Sequence, residues 1–325
     1  MTWFKISFLL VVSVSIVNAA SGLCSAVKPY SYSIAKKQYP HLKSAIEVVE
    51  KYPIATWYTD RDPDSKSQAR LAVGNCTGEN RPTIVVYGLP NKDCQGHQSS
   101  DGINKTPAQY IKFLTDLAGT VKDNHVVYII EPDAIGLLVG GASCAVSFDY
   151  ESNLIKAVSI LGANPNADIY IDIGHWILGN NNDAKIATIL NRLDPSGVRL
   201  KGISINTSNF RTTKELVGLC ASFSNTAKKI SNRTMTCVLD VSRNFMGPEA
   251  NSQWCNPKGR GIGHPPTITT GEPLIDYFLW IKPPGESDGY CNGGPNAGEF
   301  YRDGFVDLWN NGYFVQVDGM NKVSA

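Results

Sequence analysis

Aspartates recur in loops rich in glycine and proline along this 325-residue chain. Asp93 lies in the segment GLPNKDC, Asp133 in EPD, and Asp288 in KPPGESDG. At any one position, capping of the next helix is the simpler explanation of such an aspartate. Helix capping explains the three aspartates together poorly, because none of them stands immediately before a predicted regular helix. Paired carboxyl groups act as acid and base at a glycosidic bond, so the set favours sugar chemistry.

Other catalytic chemistries find less support in the sequence. The chain has five scattered histidines without the His-Glu-x-x-His spacing of a zinc site: His41, His97, His125, His175 and His264. A serine nucleophile would need a Gly-x-Ser-x-Gly segment, which is absent. The glycine-rich segment 259–263 lacks a preceding strand, so it predicts a surface loop and not a phosphate site. We expect neither a metal ion nor another cofactor.

Short β-branched or aromatic runs alternate with longer amphipathic stretches along the chain. The runs predict seven strands, at 54–58, 83–87, 126–130, 169–171, 202–205, 236–239 and 277–281. Apolar residues spaced by three and four predict helices at 107–121, 150–161, 183–193 and 212–230. This alternation indicates parallel strands with right-handed crossovers. Seven or eight such units without a Ser-, Thr- or Pro-rich linker predict one α/β domain, a barrel more than an open sheet.

The active site of such a sheet lies beyond the carboxyl ends of its strands. Most predicted strands are followed there by a carboxylate, an amide or an imidazole: Asp60, Asp93, Glu131, Asp133, Asp172, His175, Asn206, Asp240 and Asp288. His175 has core packing as an equally good explanation, but its place after Asp172 favours the cleft. Tryptophans near these strands offer flat faces on which a pyranose ring can stack. The sequence therefore predicts a carbohydrate site at this end of the sheet.

The overall charge excludes several kinds of partner. The chain has 30 Lys+Arg against 29 Asp+Glu, a net charge of +1. This balance gives no electrostatic footprint for nucleic acid or an anionic membrane. With 42% hydrophobic and 18% charged residues, the chain can bury a large core.

The N-terminus predicts secretion. Lys5 precedes the apolar run 6–16, and Ala19 and Ala20 follow it, as in a signal peptide covering 1–19. The run is well short of the about 20 residues that span a bilayer. Eight dispersed cysteines follow, so an oxidising compartment predicts disulfides, although spacing alone leaves about 105 pairings open. Four sequons are weak glycosylation signals, at Asn75, Asn104, Asn206 and Asn232.

Four segments follow one another at predicted strand ends: 87–94 (YGLPNKDC), 130–133 (IEPD), 172–175 (DIGH) and 280–289 (WIKPPGESDG). Together they resemble glycoside hydrolase family 6, secreted cellulases that include endoglucanases and cellobiohydrolases. The resemblance covers nearly all of the mature chain, 20–325. It implies a single domain with a distorted seven-stranded parallel β/α barrel and no metal. It also implies hydrolysis of β-1,4-glucan with inversion, by a monomer without nucleic-acid or membrane partners.

The resemblance assigns roles to the aspartates. Asp133 would be the general acid, and its apolar neighbours in 129–135 independently favour a protonated carboxyl group. Asp93 would keep Asp133 protonated and assist the transition state. Asp288 matches the candidate base, with Lys282 and Glu286 as cleft partners, while a base acting through a chain of waters stays open.

The same resemblance assigns residues that hold the sugar. Tyr87 would crowd the distorted ring at the cleavage point. The candidate stacking platforms are Trp57, Trp254 and Trp280, with core packing as the alternative for each. The candidates for hydrogen bonds to hydroxyl groups are Asp172, His175 and Asn206. A glycan on Asn206 would obstruct the cleft, so we expect that sequon to be unused.

Two disulfides follow from the resemblance, Cys94–Cys144 and Cys255–Cys291, each bracing a cleft loop. The pairing of the other four cysteines stays open, and Cys24–Cys76 with Cys220–Cys237 is a guess among the arrangements that remain. The chain departs from the family pattern at Lys92, where arginine is usual, at Gly88, where a polar residue is usual, and at Trp176, which follows His175 directly.

The mode of action depends on loop length. The short connection 289–298 resembles the open-cleft endoglucanases, so we expect endo action. A processive cellobiohydrolase is the alternative within the family. From another class, the alternative is a secreted non-catalytic protein that binds glucan on the same scaffold.

Overall fold

The structure is a computed structural model that describes residues 22–179, 181–251 and 253–324. The predicted signal peptide, 1–19, lies outside the described residues. Seven strands are present: β1 Thr56–Thr59, β2 Thr83–Tyr87, β3 Val126–Ile130, β4 Ala167–Asp172, β5 Leu200–Ile205, β6 Thr236–Asp240 and β7 Ile275–Leu279. The helices are α1 Tyr30–Gln38, α2 Lys43–Val49, α3 Ser65–Asn75, α4 Pro107–Val121, α5 Ala134–Val139, α6 Ser143–Ser147, α7 Tyr150–Leu161, α8 Asp183–Leu193, α9 Thr213–Ser231, α10 Arg302–Asn310 and α11 Tyr313–Gln316, with short 3-10 helices at Pro40–Leu42 and His175–Ile177.

The seven strands form one parallel sheet in chain order, from β1 to β7. The two edge strands approach each other through one isolated bridge, Ile54 with Trp280, where Ala55 N donates to Trp280 O at 3.0 Å. The sheet is therefore curled into a barrel that is distorted where β1 and β7 meet. This confirms the predicted fold class.

Local sequence signals predict the bounds of five elements correctly. β2, β3, α4, α7 and α8 have the predicted bounds, and α4 begins with a capping box formed by Thr106 and Gln109. The predicted first and seventh strands were too long at the ends that meet, since Ile54 and Trp280 form a single bridge and no ladder.

Apolar side chains fill both faces of the sheet. Val85, Ile129 and Tyr277 belong to the cluster inside the barrel, while Ile84 and Val86 pack towards the helices. Parallel strands covered on both faces read as continuous apolar runs, as TIVVY and VVYII do here.

Trp280 corrects one expectation. Side chains alternate along a strand, so Trp280 points outward like Phe278 and packs beside Phe314, with ring centroids 6.2 Å apart. It is 1% exposed, and its Nε1 donates to His264 O at 3.0 Å. It belongs to the core and is not a sugar platform.

All four expected disulfides are present: Cys24–Cys76, Cys94–Cys144, Cys220–Cys237 and Cys255–Cys291. Cys94–Cys144 joins the loop after β2 to α6, and Cys255–Cys291 joins the loops after β6 and β7. Both brace the carboxyl end of the barrel. No helix among the described residues is long and apolar enough to cross a membrane.

Candidate active site

Four of the strand-end acids are buried and hold loops in place: Asp60, Glu131, Asp172 and Asp240. Asp240 accepts from the backbone N–H groups of Ser208 at 2.9 Å and Lys282 at 3.1 Å, which ties the loops after β5 and β7 to β6. Asp60 is paired with Lys92 and accepts from Asn104 N at 2.7 Å. These acids hold the loops that form the cleft, and none of the four acids lines the cleft itself.

Glu131 holds the loop after β2. It is 1% exposed, and its carboxylate accepts from Gly88 N at 3.0 Å, Leu89 N at 3.1 Å and Tyr110 Oη at 2.8 Å. Burial outweighs these hydrogen bonds and raises the pKa of Glu131 to about 7.

Asp133 faces the cavity from the end of β3. It has a left-handed backbone, with φ of 73°, and its N–H donates to Asp172 Oδ1 at 3.1 Å. Contrary to the sequence expectation it directly precedes a helix, α5, but its side chain makes no capping bond there. Burial, then the charges of Asp172 and Asp93, raise the pKa of Asp133 to about 8. The carboxyl group therefore holds its proton to a higher pH than an ordinary aspartate does.

Asp172 is fully buried beneath Asp133, which corrects its expected role in binding sugar hydroxyls. Thr207 Oγ1 donates to Asp172 Oδ2, and Asp133 N donates to its other oxygen. Burial raises its pKa to about 6. Asp172 acts on the site by holding the backbone of Asp133.

Asp93 lines the same cavity from the loop after β2. Its Oδ2 accepts from Gln98 N and Ser99 N, both at 2.7 Å, so one carboxylate oxygen shapes its own loop. The neighbouring Cys94 fixes this loop to Cys144. Asp93 therefore has a fixed position from which its charge acts on Asp133.

Tyr87 and Trp57 form an aromatic corner in the cavity wall. Their rings meet edge to face with centroids 5.5 Å apart, and Trp57 Nε1 donates to Ile281 O at 2.8 Å. Lys92 Nζ lies 5.3 Å from the centre of the Tyr87 ring. Lys92 is itself paired with buried Asp60, so this position carries a buried ion pair.

Asp288 lies in a buried ion pair. Arg243 donates to both of its oxygens, at 3.0 and 2.9 Å, and Asn256 N donates to Oδ2 at 3.0 Å. Lys282 Nζ lies 3.8 Å from Oδ1. Oδ1 therefore carries one close hydrogen bond and keeps a lone pair that a water can use.

Lys282 and Glu286 line the cavity beside Asp288. Lys282 Nζ donates to Ser287 O at 2.7 Å, and burial lowers its pKa. Burial also raises the pKa of Glu286, whose Oε1 accepts from Ser31 Oγ at 2.7 Å.

The far part of the cavity carries an imidazole and two indoles. His175, Trp176 and Trp254 all line it, and the two indoles are 42% and 49% exposed. Burial and the charge of Arg211 lower the pKa of His175 to about 4, so its ring is neutral at neutral pH. Its Nδ1 is buried and has no hydrogen-bond partner among the described residues.

Asn206 is a second correction to the expected sugar-binding set. It is fully buried; its Nδ2 donates to Asp240 O at 2.7 Å, and its Oδ1 accepts from Arg211 N at 3.0 Å. Both the nitrogen and the oxygen of the Asn206 amide form hydrogen bonds with backbone groups, so Asn206 holds the loop after β5 in place. Its burial is consistent with an unused sequon, and Asn104 is likewise buried.

The cavity extends across the carboxyl ends of the strands and has a volume of about 1230 Å³. It brings together Asp93, Asp133, Asp288, Tyr87, Trp57, His175, Trp254, Lys282 and Glu286. Arg61, on the loop after β1, also lines it, and Arg243 binds Asp288. Neither arginine was predicted from the sequence, although Arg243 stands three residues beyond the end of β6. Among the described residues, no His, Cys, Asp and Glu side chains group to hold a metal ion.

This fold and cleft define an α/β-barrel protein equipped to act on carbohydrate. Residues 23–312 match the sequence profile of Glycosyl hydrolases family 6. Endoglucanase A of Cellulomonas fimi is 32% identical over 277 residues, covering 83% of this chain but only 56% of that protein. A probable 1,4-beta-D-glucan cellobiohydrolase C of Aspergillus terreus is 28% identical over 315 residues, covering 84% of this chain and 67% of that protein.

A solved structure agrees with these sequence matches. The endoglucanase Cel6 from Mycobacterium tuberculosis, in complex with methyl-cellobiosyl-4-deoxy-4-thio-beta-D-cellobioside, superposes with a TM-score of 0.76. It is 30% identical, and the match covers 90% of this chain and 99% of that chain. The chain belongs to glycosyl hydrolase family 6.

Proposed function

We propose that the protein is a secreted endo-acting β-1,4-glucanase that inverts the anomeric carbon. Asp133 carries this proposal, because a protonated carboxyl group in a cavity lined with aromatic residues is suited to protonate a glycosidic oxygen. The endoglucanase relatives and the cellobioside-bound structure support a β-1,4-glucan substrate.

The reaction we propose has one displacement step. Asp133 gives its proton to the leaving oxygen while a water attacks the anomeric carbon from the opposite face. The water loses its proton towards Asp288 Oδ1, directly or through a second water. Asp93 holds the pKa of Asp133 up and stabilises positive charge on the sugar ring. A β-linkage then yields an α-configured product.

Sugar contacts come from residues that line the cavity. We assign stacking to the exposed faces of Trp57, Trp254 and Trp176, and hydroxyl contacts to His175, Lys282 and Glu286. Tyr87, edge-on to Trp57, limits the space for an undistorted ring at the cleavage point.

The short connection 289–298 supports endo action. One observation favours a cellobiohydrolase as the second candidate, because the loops after β2 and β7 touch. The Gln98 amide lies against Gly289, where any Cβ would clash with it. Arg61 also bridges the loops, donating to Ala297 O at 3.4 Å and pairing with Asp101 at 3.3 Å.

Secretion and a catalytic domain over 20–325 are part of the same proposal. Four disulfides fit an oxidising compartment. Asn75 and Asn232 are exposed sequon residues that can carry glycans.

Viscosity of carboxymethylcellulose, compared with reducing ends released, tests the activity and its mode. An endoglucanase lowers viscosity at few cleavages, whereas a cellobiohydrolase releases cellobiose with little early loss of viscosity. NMR of cellotetraose hydrolysis should show the α-anomer first. Unchanged viscosity, with no sugar released, would favour the non-catalytic glucan-binding alternative, and a β-anomer would contradict inversion.

A further inference from the structure

Helix α1 forms one wall of the cavity, although no sequence motif marks it. Ser31, Ile34, Ala35 and Gln38 all line the cavity, at the spacing of one helix face. The cleft therefore continues past the aromatic corner of Trp57 onto this helix.

Hydrogen bonds hold α1 at the edge of the cleft. Ser31 Oγ donates to Glu286 Oε1 at 2.7 Å, and Tyr32 Oη donates to Pro284 O at 2.6 Å. Both acceptors belong to the loop after β7 that also carries Asp288. The cavity-lining face of α1 is thus fixed relative to the candidate catalytic groups.

The surface at this end combines apolar and polar groups in the way a sugar requires. Tyr30 is 77% exposed and Ile34, one turn later, is 47% exposed, and both line the cavity. Gln38, Gln68 and Asp64, which carry amide and carboxylate groups, line the same cavity. An aromatic ring can pack on the C–H face of a pyranose while amides and carboxylates bind its hydroxyl groups.

We propose that α1, together with Asp64 and Gln68, is an additional binding site for one remote glucosyl unit of a long β-1,4-glucan, with Tyr30 as its platform. The occupant is the glucan because this surface is continuous with the cleft that holds Asp133. The site rests on the proposed function and extends it: chain length, not only linkage, determines how well a substrate is used.

Cello-oligosaccharides of increasing length test the site. Tyr30→Ala should lower kcat/KM on cellohexaose by roughly three- to tenfold and leave the shortest hydrolysed oligosaccharide unchanged. Tyr290→Ala is the matched control, because Tyr290 is 74% exposed and lies outside the cavity lining. Equal effects of the two substitutions, or an equal loss by Tyr30→Ala at every length, would overturn the site.

A binding measurement separates this site from the proposed catalysis. In the Asp133→Asn background, calorimetry should show that Tyr30→Ala weakens cellohexaose binding by a similar factor and leaves cellotriose binding unchanged. This readout needs no hydrolysis, so it tests the site even if the protein proves to be non-catalytic. Unchanged cellohexaose affinity would refute the site whether or not the protein cleaves glucan.

Discussion

At the scale of single residues, the proton on Asp133 depends on the charges around it. Burial is the largest cause of its raised pKa, and the carboxylates of Asp172 and Asp93 add to it. Activity that needs this proton is therefore present below about pH 8 and falls as the pH rises through that value.

Asp93→Asn removes one of the negative charges that raise the pKa of Asp133. The alkaline limb of kcat against pH should then move to lower pH, because a neutral neighbour makes ionisation of Asp133 easier. The pH profile on cellotetraose checks this, with Asp123→Asn, exposed and outside the cavity lining, as the control. An alkaline limb that stays at the same pH, or moves to higher pH, would show that Asp93 does not act on Asp133 electrostatically.

Arg243 compensates the buried charge of Asp288. Arg243→Ala removes both guanidinium hydrogen bonds and leaves Lys282, 3.8 Å away, as the remaining cation beside buried Asp288. It should lower the free energy of unfolding by about 3 kcal/mol. Urea unfolding measures the loss. Arg192→Ala is the control, since Arg192 is 49% exposed, its partner Glu151 is 32% exposed, and such a surface pair should contribute only about 0–1 kcal/mol. Similar losses for both arginines would contradict this account.

At the scale of elements, the loop after β2 carries Asp93 and is fixed from several sides. Glu131 holds Gly88 and Leu89, Asn104 Nδ2 donates to Gly88 O at 2.7 Å, and Cys94–Cys144 ties the loop to α6. These contacts come from β3, from the loop's own end and from α6, so no single element determines where Asp93 stands.

Replacing Cys94 and Cys144 together by alanine should lower the free energy of unfolding by about 2–4 kcal/mol. It should also reduce kcat at temperatures where the protein stays folded, because the loop that holds Asp93 is released. The double replacement of Cys220 and Cys237, which link α9 to β6 away from the cleft, should reduce stability and spare kcat. An unchanged kcat in the Cys94 and Cys144 variant would show that the other contacts are sufficient to hold the loop that carries Asp93.

Local signals explain which parts of the fold the sequence predicts. The helix at 107–121 follows from its capping box and its apolar spacing, both of which operate within a few residues. Trp280 could have been assigned to the core by alternation with Tyr277 and Leu279, which face the barrel interior. The burial of Asn206 and Asp172 could not have been predicted in this way, because their partners, Asp240 and Thr207, lie on or just beyond neighbouring strands, far away along the chain.

The same limit applies to the candidate site. Strand-end position predicts that an acid lies at the carboxyl end of the barrel, and Asp93, Asp133 and Asp288 do lie in the cavity. Strand-end position alone does not distinguish an acid that binds backbone N–H groups, such as Asp240, from an acid that faces the cavity. That difference depends on the path of the next loop.

At the scale of the whole molecule, buried acids couple stability to pH. The pKa values of Glu131, Asp133 and Asp172 are raised to about 7, 8 and 6 by burial. In the unfolded chain the pKa values of these groups are about 4. At any pH between those values and the folded ones, the folded chain binds more protons than the unfolded chain. For these groups, stability is therefore greatest at the acid end of that window and falls as the pH rises through it.

We expect the melting temperature to be higher at pH 5 than at pH 8, measured by calorimetry at constant ionic strength. In Asp133→Asn the difference should shrink, because one of the three groups no longer titrates. A difference of opposite sign would show that other groups dominate the pH dependence. An unchanged difference in Asp133→Asn would show that the pKa of Asp133 is not raised in the folded chain.

The most direct test of the central claim, that Asp133 protonates the leaving group, compares two leaving groups in wild type and Asp133→Asn. Cellotetraose needs a proton at the departing oxygen, and a dinitrophenyl cellobioside does not. Asp133→Asn should lower kcat on cellotetraose by about 10³-fold and on the dinitrophenyl substrate far less. Equal losses on both substrates, or full activity on cellotetraose, would contradict the assignment of Asp133 as the general acid.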